Sequence, residues 1–443
     1  MNRSFPKTHR ILILGGGFGG IYAALRLEKA FAREGNVEIT LINRDNYLLF
    51  SPMLAEVSSS GIEAKHIVPP IRAFFRKVRF RDSQVEAIDL ENRVVHAFHC
   101  PQCPHYSLEF DHLILALGSV TSFYGLPGVE ENALPLKTLA DAMGLRNHVI
   151  DMLEHADMET DVELRRRLLT IVVAGAGFSG VEVAAELNDF LRGAKRFYAN
   201  IRPEEVRLAL VASGSRILPG LAEDLAAYAQ RGLLRRGVEV RLGTGIAQAS
   251  AGGVDLQDES HIPTRTLVWT AGIAPNPLLA PLSCQKERGR IVVNDRLEVP
   301  EYPGLWAIGD CAHLPDPKTG LPYPPTAQHA VRQGRRVADN VVAAIRGRPK
   351  KPFAYSSIGE LVPLGRRLAV AEILGFKFRG FFAWWLWRTV YLSKLPGFER
   401  KIRVALDWTL DLFLPRDIVL LKPFLKMGEE EGMTEKVNMK SSE

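Results

Sequence analysis

Cysteine is scarce in this sequence, with four residues among 443. So few cysteines do not make a disulfide scaffold in a chain of this length, and we expect a reducing compartment. One pair has the spacing C-x-x-C and lies among histidines, at Cys100, Cys103, His96, His99 and His105. The stretch is typical of a hairpin tip. A zinc site there stays open as an alternative, but a single C-x-x-C is weak support, and we assign no metal site.

Long apolar runs are also missing. No stretch of about 18 apolar residues is free of charge, so we expect no helix that spans a bilayer. The segment before the first glycines has too few apolar residues for a signal peptide and predicts a first strand instead. Acidic residues are outnumbered, which gives a net charge of +6 and an isoelectric point near 9.1. This excess favours an anionic partner: a nucleotide, a nucleic acid or a phospholipid surface.

Two segments have the order strand, glycine-rich turn, helix. They read "RILILGGGFGGIYAALRLEKAF" and "LLTIVVAGAGFSGVEVAAEL". The glycines of their G-x-G-x-x-G motifs are Gly15, Gly17, Gly20, Gly175, Gly177 and Gly180. In this context the glycines allow a tight turn, and the helix N-terminus offers N–H donors to a pyrophosphate. Two copies predict two bound dinucleotides, and therefore electron transfer between them.

The strand after each glycine turn normally ends in an acid that binds the ribose hydroxyls. The first such strand ends instead in Asn43, with Asp45 just beyond. The second ends in Ala212, followed by Ser213. Neither unit therefore has the expected acid in place.

Three further strand-to-glycine segments follow the same pattern. They are "FDHLILALGS" (110–119), "RTLVWTAGIAPNP" (265–277) and "PGLWAIGDCAHL" (303–314), of which the last contains Gly309 and Asp310. With "LPLKTLADAMGLR" (134–146) and "PPTAQHAVRQG" (324–334), they make the chain resemble the type II NADH dehydrogenases. The resemblance runs from about residue 10 to 415.

The resemblance implies an α/β fold with two Rossmann-like dinucleotide-binding domains, the second inserted in the first, and a C-terminal amphipathic helical membrane-anchoring region. The first unit is expected to bind FAD and the second NADH or NADPH. The expected divisions are an FAD-binding domain at 1–125 and 289–350, a connecting helical segment at 126–167, an NAD(P)H-binding domain at 168–288, and a membrane-associating region at 351–443.

The resemblance also implies which residues form the site. Besides the six motif glycines, the expected cofactor-binding residues are Phe18, Gly19, Asn43, Arg44, Val85, Ala116, Gly118, Ala212, Gly272, Gly309, Asp310, Ala327 and Gln328. The expected catalytic residues are Glu182, Gln328 and Gln333. The carboxylate of Asp310 is expected to contact the ribityl–phosphate chain of FAD.

The segment "PPTAQHAVRQGRRVADNVVAAIRG" predicts a helix with Thr326 as N-cap and Gly347 after its end. Its N-terminus is expected to point backbone donors at the pyrimidine edge of the flavin. The resemblance places Gln328 and Gln333 near the flavin and the quinone, while an ordinary solvated helix face is the alternative. Glu182 is expected in the first turn of the second motif helix, where a carboxylate is favourable in any case. In the family it faces the junction of nicotinamide and flavin.

Cysteine positions separate the family from its relatives. Disulfide reductases of the superfamily carry a C-x(4)-C beside the flavin, and sulfide:quinone reductases use separated cysteines. Residues 43–70 contain no cysteine. Cys311 is interpreted as a small buried residue, and Cys284 is isolated.

The C-terminal stretch combines aromatic and basic residues. "FFAWWLWRTVYLSKL" (381–395) is apolar on nearly every helical face, and "RKIRVALDWTLDLFLP" (400–415) predicts an amphipathic helix that ends at Pro415. Basic residues outnumber acidic ones from Leu361 to Lys426. This composition favours a helix pair on an anionic lipid surface, and burial against a homodimer partner is the alternative.

The sequence thus predicts a non-pumping NAD(P)H:quinone oxidoreductase, peripheral on the cytoplasmic face of a membrane. Its expected partners are a membrane quinone and an anionic lipid surface, with no nucleic acid. The alternative is an FAD-containing, NAD(P)H-binding redox sensor with slow turnover.

Overall fold

The computed structural model describes residues 8–420. The N-terminal part of the chain contains β1 (His9–Leu14), α1 (Phe18–Ala30), β2 (Val37–Asn43), α2 (Leu54–Ser58), β3 (Arg79–Asp82), β4 (Gln84–Asp89), β5 (Val94–Phe98), β6 (Tyr106–Glu109), β7 (His112–Leu115) and β8 (Ser119–Thr121).

The middle part contains α3 (Val129–Asn132), β9 (Ala133–Pro135), α4 (Leu139–Met158), α5 (Val162–Leu168), β10 (Thr170–Ala174), α6 (Phe178–Ala194), β11 (Arg207–Ala212), α7 (Glu223–Arg235), β12 (Val238–Leu242), β13 (Ile246–Ser250), β14 (Gly253–Leu256), β15 (His261–Pro263), β16 (Thr266–Trp269) and β17 (Ile273–Pro275).

The last part contains β18 (Lys286–Glu287), β19 (Arg290–Val292), β20 (Leu305–Ala307), β21 (Ala312–His313), α8 (Ala327–Ile345), β22 (Gly359–Pro363), β23 (Ala369–Ile373), β24 (Phe376–Arg379), α9 (Gly380–Lys394) and α10 (Phe398–Phe413).

Two parallel sheets organise the molecule. The first has the order β20-β7-β1-β2-β3 and the second the order β12-β11-β10-β16-β9, with every neighbouring pair parallel. Their central strands are apolar runs buried on both faces, such as Ile11–Leu14 and Ile171–Ala174, as parallel sheets require. The strands of the second sheet fall between β7 and β20 of the first. The second unit is therefore inserted in the first, which confirms the predicted fold class.

The segment 126–167, expected to be a helical connection, also contributes a strand to the second sheet. It contains α3, α4 and α5, but also β9, which pairs with β16 and completes the second sheet. A short antiparallel pair, β8 with β17, joins the two units nearby. The alternation of apolar residues in so short a strand is too weak to detect from sequence alone.

The C-terminal part is a three-stranded antiparallel sheet, β22-β23-β24, followed by α9 and α10. Each helix has one buried and one exposed apolar face. On α9, Trp384 and Trp387 are buried, whereas Trp385 is 51% exposed. On α10, Trp408 is buried and Phe413 is exposed. Within residues 8–420, no helix is both long enough and apolar enough to cross a membrane.

The tryptophan-rich stretch is thus only partly a surface feature. Trp384, Trp387 and Trp408 join a core cluster that also contains Met53 and Leu54 of the first unit. The predicted membrane-facing role of 381–395 can rest only on its exposed residues, because two of its three tryptophans pack against the rest of the protein.

Candidate functional site

The first glycine turn is shaped for a close approach of backbone to ligand. Gly15 has φ +109°, and a Cβ there would lie 2.2 Å from the carbonyl oxygen of Ala116. A Cβ on Gly20 would lie 1.9 Å from the carbonyl oxygen of Gly15, so this glycine lets α1 start directly on the turn. A Cβ on Gly17 would meet no atom within 4 Å. Gly17 therefore borders open space at the N-terminus of α1.

The second turn repeats this geometry. Gly175 has φ +104°, and a Cβ on Gly180 would lie 1.8 Å from the carbonyl oxygen of Gly175. Gly177 again borders open space, and it precedes α6 as its N-cap. Neither helix start is capped by a side chain. Both turns can therefore offer free N–H groups to a pyrophosphate.

Asn43, in the position of the expected ribose acid, serves the first turn itself. Its Oδ1 accepts the N–H of Gly16 at 2.7 Å, and its Nδ2 donates to the carbonyl of Asp45 at 2.8 Å. The adjacent Arg44 is exposed, and its Nε lies 3.4 Å from a carboxylate oxygen of Asp45. Asn43 thus stabilises the glycine turn through hydrogen bonds.

Asp310 lies in a polar cluster at the end of β20. It belongs to a single 3-10 turn, Gly309–Cys311, and its Oδ2 accepts the hydroxyl of Ser119 at 2.5 Å. Lys137 donates to the same hydroxyl at 2.7 Å, and its Nζ lies 3.8 Å from Asp310. Sequence reasoning missed Lys137, although it stands in the "LPLKTL" segment that supports the resemblance.

Gln333 stabilises the same turn through a hydrogen bond. It is 3% exposed, and its Oε1 accepts the N–H of Gly309 at 2.6 Å. The alternative of a solvated helix face is therefore wrong for Gln333. Its side chain is buried, and its amide oxygen accepts a hydrogen bond from the turn that carries Asp310. Burial of this kind cannot be inferred from helical spacing alone.

The N-terminus of α8 lies beside the first glycine turn. Thr326 caps the helix as predicted, by accepting the N–H of His329. A Cβ on Gly334 would lie 2.3 Å from the carbonyl oxygen of Gly19, so α8 and α1 touch backbone to backbone. This contact brings Ala327, the first residue of α8, to the side of the site where α1 begins.

Gln328 is half-buried and holds a loop at the same helix end. Its Nε2 donates to the carbonyl of Gly359 at 3.1 Å, and its Oε1 accepts the hydroxyl of Tyr355 at 2.9 Å. The guanidinium of Arg332 lies 3.9 Å from the ring centre of Tyr355. Gln328 thus connects α8 to the start of β22.

The remaining residues predicted for FAD lie in β4 and in the segment after β7. Val85 is buried in β4, and Ala116 and Gly118 follow β7 directly. Open space at Gly17, free N–H groups at α1, and the Asp310–Lys137 pair together provide donors and a carboxylate for a dinucleotide. The residues present therefore fit FAD, as the resemblance implies.

In the second unit, Ala212 ends β11 as predicted. The loop after it exposes Ser213 and Ser215, and Arg216 donates from Nη2 to the carbonyl of Pro219 at 2.7 Å. Gly272 follows β16 and is covered by the ring of Tyr124, which would lie 2.6 Å from a Cβ there. The structure thus places Ala212 and Gly272 at the carboxyl end of the second sheet.

Glu182 lies on α6, where the second unit faces the first. The helix begins at Phe178 with Gly177 as its cap, so Glu182 is in the second turn; the expectation of a first-turn position is wrong. Its pKa is raised well above the ordinary value by desolvation and, after that, by the nearby carboxyls of Glu56, Glu186 and Glu360. A group in this environment favours its neutral form and can hold a proton at neutral pH.

Aromatic rings connect the start of α1 to α9. Phe18, the first residue of α1, lies 5.8 Å from Phe50, and Phe50 lies 6.4 Å from Tyr391. Tyr391 in turn lies 4.9 Å from Trp387. Burial, followed by the charge of Glu182, raises the pKa of Tyr391. The result is a continuous row of aromatic contacts from the first glycine turn to α9.

The cysteine pair lies away from this site. Cys100 and Cys103 form a disulfide between β5 and β6, a pairing that the sequence did not predict. Nitrogen atoms of the three histidines meet other partners: His96 contacts Ser107, His99 the carbonyl of Asp82, and His105 contacts Glu86. In the described part of the chain, no group of three His, Cys, Asp or Glu is placed to hold a metal ion.

The chain matches two known protein families over most of its length. The family described as pyridine nucleotide-disulphide oxidoreductase matches residues 9–334, and the one described as NDH2 C-terminal domain matches residues 358–417. A type II NADH:quinone oxidoreductase of Mycobacterium tuberculosis is 32% identical, over 93% of this chain and 89% of its own length. Demethylphylloquinone reductase of Synechocystis is 34% identical, over 90% of this chain and 95% of its own.

A solved structure shows the same fold. It is NDH2 from Plasmodium falciparum in complex with NADH, with a TM-score of 0.86 and 19% identity. The match covers 93% of this chain and 100% of the other.

Proposed function

Since the chain belongs to the type II NADH dehydrogenases, a family of pyridine nucleotide-disulphide oxidoreductases, we propose that it oxidises NADH or NADPH and reduces a membrane quinone through FAD. The observation that carries the proposal is the pair of glycine turns with the same open geometry at Gly17 and Gly177. One turn suits FAD and the other suits the nicotinamide dinucleotide. The alternative of a redox sensor is not favoured by relatives that are named as quinone reductases.

Each part of the site has a role in this reaction. FAD, when bound, accepts a hydride and returns two electrons. The first turn, Asp310 and the start of α8 would hold it, and the N–H groups of α8 favour negative charge near that helix end. Gln328 and Gln333 keep α8 and the Gly309 turn in place. Glu182 would hold a proton beside the reacting rings.

Turnover tests the proposal. Purified holoprotein is expected to oxidise NADH rapidly when a short-tailed quinone is present, with one quinol formed for each NADH consumed. Glu182→Gln is expected to slow this reaction by roughly 10²–10⁴-fold, the usual contribution of a general acid or base. Slow turnover in the wild type, independent of added quinone, would favour the sensor.

The exposed faces of α9 and α10 support a membrane-surface role. The exposed apolar side chains of the two helices are Phe381, Phe382 and Trp385 on α9, and Phe398, Ile402, Leu406, Leu410 and Phe413 on α10. We name these the α9 face and the α10 face. Lone exposed apolar residues are ordinary, but contiguous helical rows mark a lipid or protein contact. Lys394 lies in the last turn of α9 and Lys401 in the first turn of α10, and their charge suits anionic headgroups.

Adding negative charge to the α10 face tests whether this face contacts lipid. The double variant Ile402→Glu/Leu406→Glu is expected to weaken vesicle binding by on the order of a hundredfold, since a fully buried Ile or Leu contributes about 1.5–3 kcal/mol. Activity with a water-soluble quinone should be unchanged, whereas activity with a long-tailed quinone should fall. The measurement is flotation with anionic vesicles.

The matched control is Val162→Glu/Leu234→Glu, which adds the same charges to exposed apolar residues on α5 and α7. It should float like the wild type. If the α10 variant also floats normally but changes from dimer to monomer, the α10 face is a homodimer contact instead. We propose that this surface is the cytoplasmic face of the membrane.

A further inference from the structure

Glu56 is a buried carboxyl with incomplete partners. It lies on α2, which packs against α4 and α6, and it is 6% exposed. Its Oε1 accepts the indole N–H of Trp408 at 2.8 Å. Among residues 8–420, no donor reaches its Oε2. A carboxylate in such a place would be poorly stabilised, so the geometry favours the neutral acid.

The cations nearby are occupied by other carboxylates. Arg416 donates to Glu186 at 2.7 Å and to Asp411 at 2.9 Å. Arg366 also donates to Asp411, at 2.7 Å. The ion pairs therefore satisfy Glu186 and Asp411, and they leave Glu56 without a direct cationic partner.

Arg388 is the remaining cation near Glu56. Its guanidinium lies between the rings of Trp384 and Trp408, at 3.9 and 4.9 Å from their centres, and donates to the carbonyl of Trp408 at 3.3 Å. Its Nε has no partner in the described part of the chain. Arg388 thus stands close enough to act on Glu56 electrostatically, but it makes no ion pair with it.

Several elements present charge to Glu56. Glu186 of α6, Arg388 of α9 and Arg416, after α10, act on Glu56 itself, and Glu182 of α6 is affected by its charge. Asp411 of α10 acts on Arg388 and pairs with Arg416, and Arg146 of α4 donates to the hydroxyl of Ser60 at 2.7 Å. Desolvation, followed by the charge of Glu186, raises the pKa of Glu56 to about 8, against the opposing effect of the two arginines and Trp408. The charge of Glu56 in turn raises the pKa of Glu182, so the protonation of one carboxyl affects that of the other.

The proposed reaction requires a proton from the protein or from water. Reduction of a quinone to a quinol takes two electrons and two protons. The hydride of NADH supplies both electrons and one proton, so one further proton must be delivered. In the proposed function Glu182 delivers this proton, and it must then be reprotonated.

We propose that Glu56 is the positioning residue that stores this proton and returns it to Glu182 across the contact between α2 and α6. The proton leaves the carboxyl of Glu56 for the carboxylate of Glu182, and Glu56 regains a proton from water. The inference rests on the proposed function and adds to it a second carboxyl that does not touch the substrate.

Glu56→Gln tests the inference because it keeps the acceptor for Trp408 but holds no transferable proton. Reduction of the bound flavin by NADH should stay within about twofold of the wild type. Quinone reduction at pH 7 should slow by at least about tenfold. The wild-type rate of quinone reduction should fall above about pH 8, and this limb should be absent in the variant. The infrared band of the protonated Glu56 carboxyl should also be lost from the oxidised protein, whereas that of Glu182 should remain.

Trp408→Phe is the matched control, because it retains the acid and removes the donor that stabilises its carboxylate. It should retain quinone reduction and move the upper pH limb to higher pH. Calorimetry and the measured FAD content serve as controls that both variants are folded. If Glu56→Gln matches the wild type at every pH and retains the infrared band, the inference is overturned. If the wild type itself does not reduce quinone, it is the proposed function that fails.

Discussion

The Arg416→Met variant is expected to lose about 3–5 kcal/mol of stability, the usual result of removing one partner from a buried ion pair. Arg416 holds two buried carboxylates, Glu186 of the inserted unit and Asp411 of α10. Methionine keeps much of the volume but leaves both carboxylates without that cation. The measurement is the thermal unfolding of lipid-free holoprotein.

The pH dependence of this loss has a definite sign. Burial opposes ionisation of Asp411, but Arg416 and Arg366 outweigh it and lower the pKa of Asp411 below the ordinary 3.8. A carboxylate with a lowered pKa contributes stability above its ordinary pKa and loses it as the pH falls through the lowered value. The difference between the wild type and the variant should therefore be largest near neutral pH and shrink in acid.

Arg403→Met provides the control on the same helix. Arg403 pairs with Glu399 one turn away, and both side chains are exposed. Such a pair contributes only about 0.3–0.5 kcal/mol. Equal losses in the Arg416 and Arg403 variants would contradict the account of a buried charge cluster.

The Ala212→Glu variant is expected to shift the ratio of kcat/KM for NADH over NADPH by about 10- to 100-fold toward NADH. A glutamate at the end of β11 would accept the ribose hydroxyls, a charge-assisted contact of about 1.5–3 kcal/mol. It would also repel a 2′-phosphate. The wild type, with Ala212 and exposed serines after it, is expected to show relaxed selectivity or a preference for NADPH.

Ala212→Gln separates the two causes, since glutamine offers an acceptor without a negative charge. It should improve NADH binding but reject NADPH less than glutamate does. A strong preference for NADH in the wild type that neither substitution changes would contradict the assignment of Ala212.

The sequence predicted the fold wherever a local pattern dictates the geometry. The glycine turns at 15–20 and 175–180 lie between an apolar strand and a helix, and a Cβ at Gly15, Gly20, Gly175 or Gly180 would clash with neighbouring atoms. Thr326 was also predicted correctly as the N-cap of α8, because a cap is recognised from the residues around it. Each of these features depends on fewer than about a dozen consecutive residues, and so it can be predicted from the sequence.

Features that join distant segments could not be predicted. Glu56 and Trp408 are 352 positions apart, and Arg416 and Glu186 are 230 positions apart. Helical periodicity did not separate Trp384 and Trp387 from Trp385, because 381–395 is apolar all round. A truncation before Gly380 would therefore not test membrane binding alone, since it would remove three core tryptophans along with the exposed faces.

The most direct test of the account is anaerobic mixing of the yellow holoprotein first with one equivalent of NADH and then with one equivalent of a quinone. The account predicts rapid bleaching of the flavin absorbance by NADH. It then predicts complete recovery on addition of the quinone, with one quinol formed for each NADH consumed. Flavin that stays bleached in the presence of excess quinone would contradict it.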